Sequence, residues 1–97
     1  MPTSDVASSN RAIVTVLGSD RPGIVASVTG ALAERQANIL DISQTILQGI
    51  FTMTMLVDLG AAAEFSELKA KLDELSETLG VQITLQREEV FRYMYRL

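Results

Sequence analysis

Ser19-Asp-Arg-Pro-Gly-Ile-Val-Ala-Ser-Val-Thr-Gly-Ala-Leu-Ala-Glu-Arg-Gln-Ala-Asn-Ile-Leu-Asp41 opens as a sharp turn, continues as one amphipathic helix and closes at Asn38. Ile24, Val25, Val28, Ala31 and Leu32 recur at the spacing of a helix that buries one face. Ser19 and Asp20 suit the cap of that helix and Pro22 its first turn, so the spacing predicts a helix over about residues 22–36. The polar ends, Asp20-Arg21 and Asn38, flank segments expected to return beside each other. They form the chain's one candidate chemical site.

Before this stretch, Arg11 to Gly18 is β-branched and apolar at both parities, as a strand buried in mid-sheet should be. After it, Ile39 to Leu47 and Ile50 to Leu59 form two strands around a Gln48-Gly49 turn. A two-residue turn sets Leu40 opposite Val57, Ile42 opposite Met55, Gln44 opposite Met53 and Ile46 opposite Phe51, an almost wholly apolar face. Asp41, Ser43 and Thr45 then pair with Leu56, Thr54 and Thr52 on a mixed, partly wet face. The amide of Gln44 would sit among apolar neighbours, and a bulge that turns it outward is the expected remedy.

Ala61 to Ala63 connect to a second helix over about residues 64–79, where Phe65, Leu68, Leu72, Leu75 and Leu79 make the clearest apolar stripe in the chain. Gly80 suits its stop, and Val81 to Arg87 alternates as a half-buried strand. The order strand, helix, strand, strand, helix, strand predicts an α+β ferredoxin-like sandwich: an antiparallel sheet in order 4-1-3-2 with two helices on one face. The second and fourth strands become edges. Residues 88–97 read as a short helical tail, with Glu88 and Arg92 spaced to pair and with Val90, Phe91, Met94, Tyr95 and Leu97 too apolar for free solvent.

With 97 residues the chain makes one domain, expected over residues 11–97 after a loose polar tail of residues 1–10. Its 47% hydrophobic content and mean hydropathy of +0.24 exceed what a lone small core hides, which points to burial in an oligomer. A net charge of −4, with only eight scattered Lys and Arg, opposes nucleic acid as a direct ligand. The absence of Cys and His removes disulfides, thiolate nucleophiles, imidazole bases and the usual zinc ligands. No cofactor is implied. No apolar run approaches the ~20 residues that span a bilayer and no secretory leader is visible, so the expectation is a cytoplasmic protein without a membrane partner.

The chemistry of the candidate site suits a small zwitterion. Backbone amides of Gly23, Ile24 and Val25 at a helix start suit a carboxylate, while Asp20 and the side-chain carbonyl of Asn38 suit an ammonium. Gly23 has no Cβ to obstruct a ligand. Arg21 is an alternative carboxylate fork or a solvated loop cation, and Asp41 is able to face a partner's loop or simply solvent. Structural duties compete for the same residues: a cap for Asp20, a turn for Gly23, a backbone bond for Asn38.

Asp20-Arg21-Pro22-Gly23-Ile24, a helix, then Asn38-Ile39 within this element order resembles the ACT domain, a regulatory module that binds amino acids at subunit interfaces. Asn38 to Ile46, Phe51 to Leu59 and the Phe-containing tail are similar to stand-alone ACT proteins, a bacterial and archaeal family of uncharacterised function, and also to the paired ACT repeats of the glycine cleavage system repressor. The resemblance implies ligand groups at Asp20, Gly23 and Asn38, with a small amino acid such as glycine or serine as ligand, a regulated partner protein and no catalysis, while the open second-strand edge and the apolar surplus point to a homodimer formed through that edge. Two alternatives stand beside it: an acylphosphatase-like hydrolase built on Arg21 and Asn38, and a ligand-free interaction subunit.

Overall fold

The computed structural model describes residues 10–60 and 64–95. The elements run β1 (Arg11–Ser19), α1 (Ile24–Glu34), β2 (Asn38–Leu47), β3 (Ile50–Asp58), α2 (Phe65–Leu79), β4 (Gln82–Arg87) and α3 (Glu88–Tyr95). The four strands form one antiparallel sheet in the order β2-β3-β1-β4, the expected 4-1-3-2 arrangement. Residues 1–9 of the expected loose tail over residues 1–10, the connection at residues 61–63 and the last two residues of the helical tail lie outside the described residues.

One sheet face and both long helices make the core. Val14 and Val16 of β1, Phe51, Met53, Met55 and Val57 of β3, and Ile83 and Leu85 of β4 pack with Ile24, Val28 and Leu32 of α1 and with Leu68 and Leu72 of α2. Alternation at period two in the strands and the spaced stripes in the helices account for this. Gly18 is required where β1 passes the start of β4, since a Cβ there would lie 2.7 Å from Val81 Cγ1. Gln48 and Gly49 both have positive φ (51° and 83°), as a tight two-residue hairpin needs.

Four expectations are corrected. Helix α1 begins at Ile24, not residue 22, because Gly23 adopts a left-handed φ of 92° that no helical residue can share. Asp20 therefore stands too far upstream to cap it, and α1 has no side-chain cap. In β2 the bulge falls at Leu40: the register passes from Ile39↔Val57 to Asp41↔Leu56, so Ile39 rather than Leu40 faces Val57. Gln44 needs no bulge, staying opposite Met53 and exposed because β2 is an uncovered edge.

Candidate functional site

At one end of the sheet, β1 runs into the Ser19–Gly23 turn. The amide of Asp20 donates to the carbonyl of Gly49 at 2.9 Å, latching this turn to the β2–β3 hairpin. The carboxylate of Asp20 is exposed and has no hydrogen-bond partner among the described residues. A Cβ built on Gly23 would meet nothing within 4 Å, so the space in front of the α1 start is open. There the first amides of α1, Ile24 among them, lack a side-chain cap. Arg21 is engaged elsewhere: its Nη1 donates to the carbonyl of Leu79 at the C-terminus of α2.

Asn38 occupies the opposite end. Because β1 and β2 both run antiparallel to β3, they start together, and Asn38 stands in register with Asp58, which in turn stands in register with Arg11. The nine residues of β1 separate this row from Asp20 by roughly 25–30 Å. The two polar ends of the opening stretch thus do not meet within one chain, contrary to expectation. The Arg21 and Asn38 pair that an acylphosphatase-like site requires is split in the same way.

Around Asn38 the charges are ordered. Arg11 grips Glu88 with two bonds, Nε to Oε1 at 2.9 Å and Nη2 to Oε2 at 2.6 Å, and Arg92 adds Nε and Nη2 to Oε2 at 3.0 and 2.8 Å. These bonds, Arg11's foremost, hold the Glu88 carboxyl below its ordinary range even though burial pushes the other way. Arg11 is correspondingly raised, chiefly by its bond to Glu88. Asp58 accepts from the amide of Gly60 at 2.9 Å through Oδ1. Asn38 is exposed, and its side-chain amide has no partner among the described residues. Asp41 accepts from the amide of Ile42 at 2.9 Å. It also borders a shallow hollow of about 140 Å³ with Ile13, Ser43, Thr54 and Leu56, one row along from Asn38.

The edge beside this row is bare. Every residue of β2 from Leu40 to Leu47 is exposed, including Leu40 (43%), Ile42 (45%), Ile46 (52%) and Leu47 (68%).

The sequence matches the ACT domain over residues 10–86. The chain belongs to the ACT domain family. This ACT domain is 51% identical over 89 residues to a UPF0237 protein of Methanocaldococcus jannaschii, covering 91% of its own chain and 99% of that relative. Among solved structures it is similar to an ACT domain protein from Streptococcus pneumoniae, with 42% identity and a TM-score of 0.74 over 88% of this chain and 97% of that one. It is also similar to a candidate glycine cleavage system transcriptional repressor, with 25% identity and a TM-score of 0.72, covering 79% of this chain and 44% of the longer one. ACT domains are regulatory, ligand-binding modules.

Two features of this ACT domain escape sequence reasoning. Arg11 and Glu88 meet across 77 positions, which no local pattern announces. Asp58 joins Asn38 only because the Leu40 bulge shifts the register, since an unbulged hairpin would set Ile39 there instead. Helix α3 lies wholly beyond the matched residues and packs on β1 and β4. Among the described residues no helix is long and apolar enough to cross a membrane.

Proposed function

We propose that this ACT domain is a non-catalytic, homodimeric sensor of a small amino acid, glycine or serine being the simplest candidates, that passes its bound state to a regulated protein. The observation that carries the proposal is the bare β2 edge, whose apolar side chains are about half exposed while its unpaired backbone groups invite another strand. Antiparallel pairing of β2 with β2 of a second copy, Asn38 opposite Leu47, sets Asn38 beside the hairpin turn to which the second copy's Asp20 amide is latched. The halves that lie at opposite ends of one sheet then combine across the seam. Amides of Gly23 and Ile24 from one copy receive the carboxylate, and Asn38 from the other receives the ammonium, with Asp20 and Asp41 beside it.

Sedimentation at micromolar concentration and thermal-shift titration with the amino acids test the proposal together. The expected results are a dimer and, for the true ligand at 100 times its dissociation constant, a gain of about 2.7 kcal/mol in stability. Asn38→Ala is expected to weaken that ligand roughly tenfold to a hundredfold with the fold intact. A monomer overturns the composite site, and a dimer that responds to no amino acid points to the interaction subunit.

A further inference from the structure

The fold uses one oxygen of Asp58 for a turn bond and leaves its charge only a through-space partner, Arg11. Oδ1 closes the turn onto the Gly60 amide, a task that any side-chain carbonyl performs, and the second oxygen has no partner among the described residues. The cation best placed to neutralise Asp58 is Arg11, its register neighbour, yet the Arg11 fork is committed to Glu88 and makes no ion pair with Asp58. Arg92 tightens that commitment from the other side of Glu88. Asp58 is thus a half-buried carboxylate that feels Arg11 only through space and makes no ion pair of its own among the described residues. Its other register neighbour is Asn38, whose side-chain amide is equally unengaged.

We infer that Asp58 is the acceptor of the ligand's cationic amine, sharing it with Asn38, and that the site therefore selects compounds with a free primary ammonium. The inference rests on the amino-acid reading above and adds to it a specificity-determining residue. Directly opposed residues of an antiparallel pair hold their Cβ atoms about 4.5–5.5 Å apart, a gap that one ammonium spans between an amide oxygen and a carboxylate. An ammonium there has three donors to place, and the two side chains offer charge-assisted and neutral acceptors together. Asp20 is left to the seam, where it faces the ligand from the second copy.

The test is thermal-shift titration of the full chain with each of the twenty amino acids and with its N-acetyl counterpart, on the parent, Asp58→Asn, Asp58→Ser and Asn38→Ala. Asp58→Asn keeps the carbonyl that the Gly60 amide needs and loses only the through-space attraction to Arg11, so its unliganded melting temperature is expected to stay close to the parent's. Asp58→Ser offers a second uncharged acceptor should the amide disturb the turn. The stabilising amino acid is expected to bind Asp58→Asn at least tenfold more weakly, and its N-acetyl counterpart is expected to give no shift on the parent. Parental affinity in both Asp58 variants alongside weakened binding in Asn38→Ala overturns the role of Asp58 and leaves the amino-acid site standing. An N-acetyl compound that binds as well as the free amine also overturns it. A parent that responds to no amino acid, or an Asn38→Ala that binds as the parent does, removes the site itself.

Discussion

Strands β2 and β3 carry nearly the same pattern and meet opposite fates. Met53, Met55 and Val57 of β3 are fully buried and Phe51 is 2% exposed, whereas Ile42 and Ile46, directly across from Met55 and Phe51, are 45% and 52% exposed. Composition does not separate them. Position does: β3 has β1 on its far side and helices above it, while β2 has no strand beyond it among the described residues. An apolar row with no internal cover is open to pairing with another chain, and the proposed dimer places Asn38 on that same strand.

The largest expected effect lies on the covered side. Met55→Ala empties a fully buried site and is expected to cost about 2–5 kcal/mol in denaturant unfolding at fixed protein concentration. Ile42→Ala, its cross-strand partner, is expected to cost well under half of that in the monomer. Equal costs would break the comparison by showing that β2 is as covered as β3.

On the uncovered side the effect is on association. Ile42→Lys with Ile46→Lys is expected to yield a folded monomer in sedimentation, because a lysine on a sheet edge opposes strand pairing without disturbing the core. An unfolded double variant, with Ile42→Ala also unfolded, would mean that these side chains serve the monomer. A double variant that still dimerises would move the interface off β2.

The strand and helix order, the Gln48-Gly49 turn and the pairing from Asp41 to Leu47 are legible in the sequence, because periodicity and turn chemistry are local. The start of α1 is misread since Pro22 and Asp20 imitate helix-start signals while Gly23 actually sets the boundary through its φ. The candidate site residues are legible one by one but not their separation: strand direction, a property of the whole sheet, puts Asp20 and Asn38 at opposite ends. The pairing of Asp58 with Asn38 stays hidden because it depends on a bulge, and nothing in the sequence at Leu40 marks one.

The same contrast between covered and bare surface recurs on β1. Ile13 and Leu17 share the face away from α1 and α2, but Ile13 is 9% exposed and Leu17 44%, and α3 packs on β1 from the Arg11 end, where Glu88 anchors it. Glu88 has a lowered folded value, so its contribution is complete above the ordinary carboxylate range near about 4.3 and is lost as pH falls through the lower folded value. In that window the unfolded state binds more protons, and stability rises with pH. The protection of α3 amides against hydrogen exchange, taken relative to the intrinsic rate at each pH, is expected to fall as the solution is acidified below about pH 4. Glu88→Gln is expected to exchange faster already at neutral pH, with a flatter acid response. An unchanged acid profile in the variant would show that α3 is held by its apolar contacts alone.

The smallest expected effect is the most telling for the bare end of the sheet. An N-cap Asp changed to Ala ordinarily costs about 0.5–2 kcal/mol, and the sequence suggests that role for Asp20. In the fold Gly23 occupies the cap position without a side-chain bond, and Asp20 holds the hairpin only through its backbone amide, which alanine retains. Asp20→Ala is therefore expected to leave unliganded stability within about 0.5 kcal/mol, the range of an ordinary surface change. The same variant is expected to weaken the stabilising amino acid, since an exposed carboxylate with no internal duty is available to a ligand at the seam. A cost of a full cap in denaturant unfolding would return Asp20 to the helix and take it out of the site. Neutral stability with unchanged ligand affinity would take Asp20 out of the site and leave the amine to Asp58 and Asn38, with Asp41 beside them.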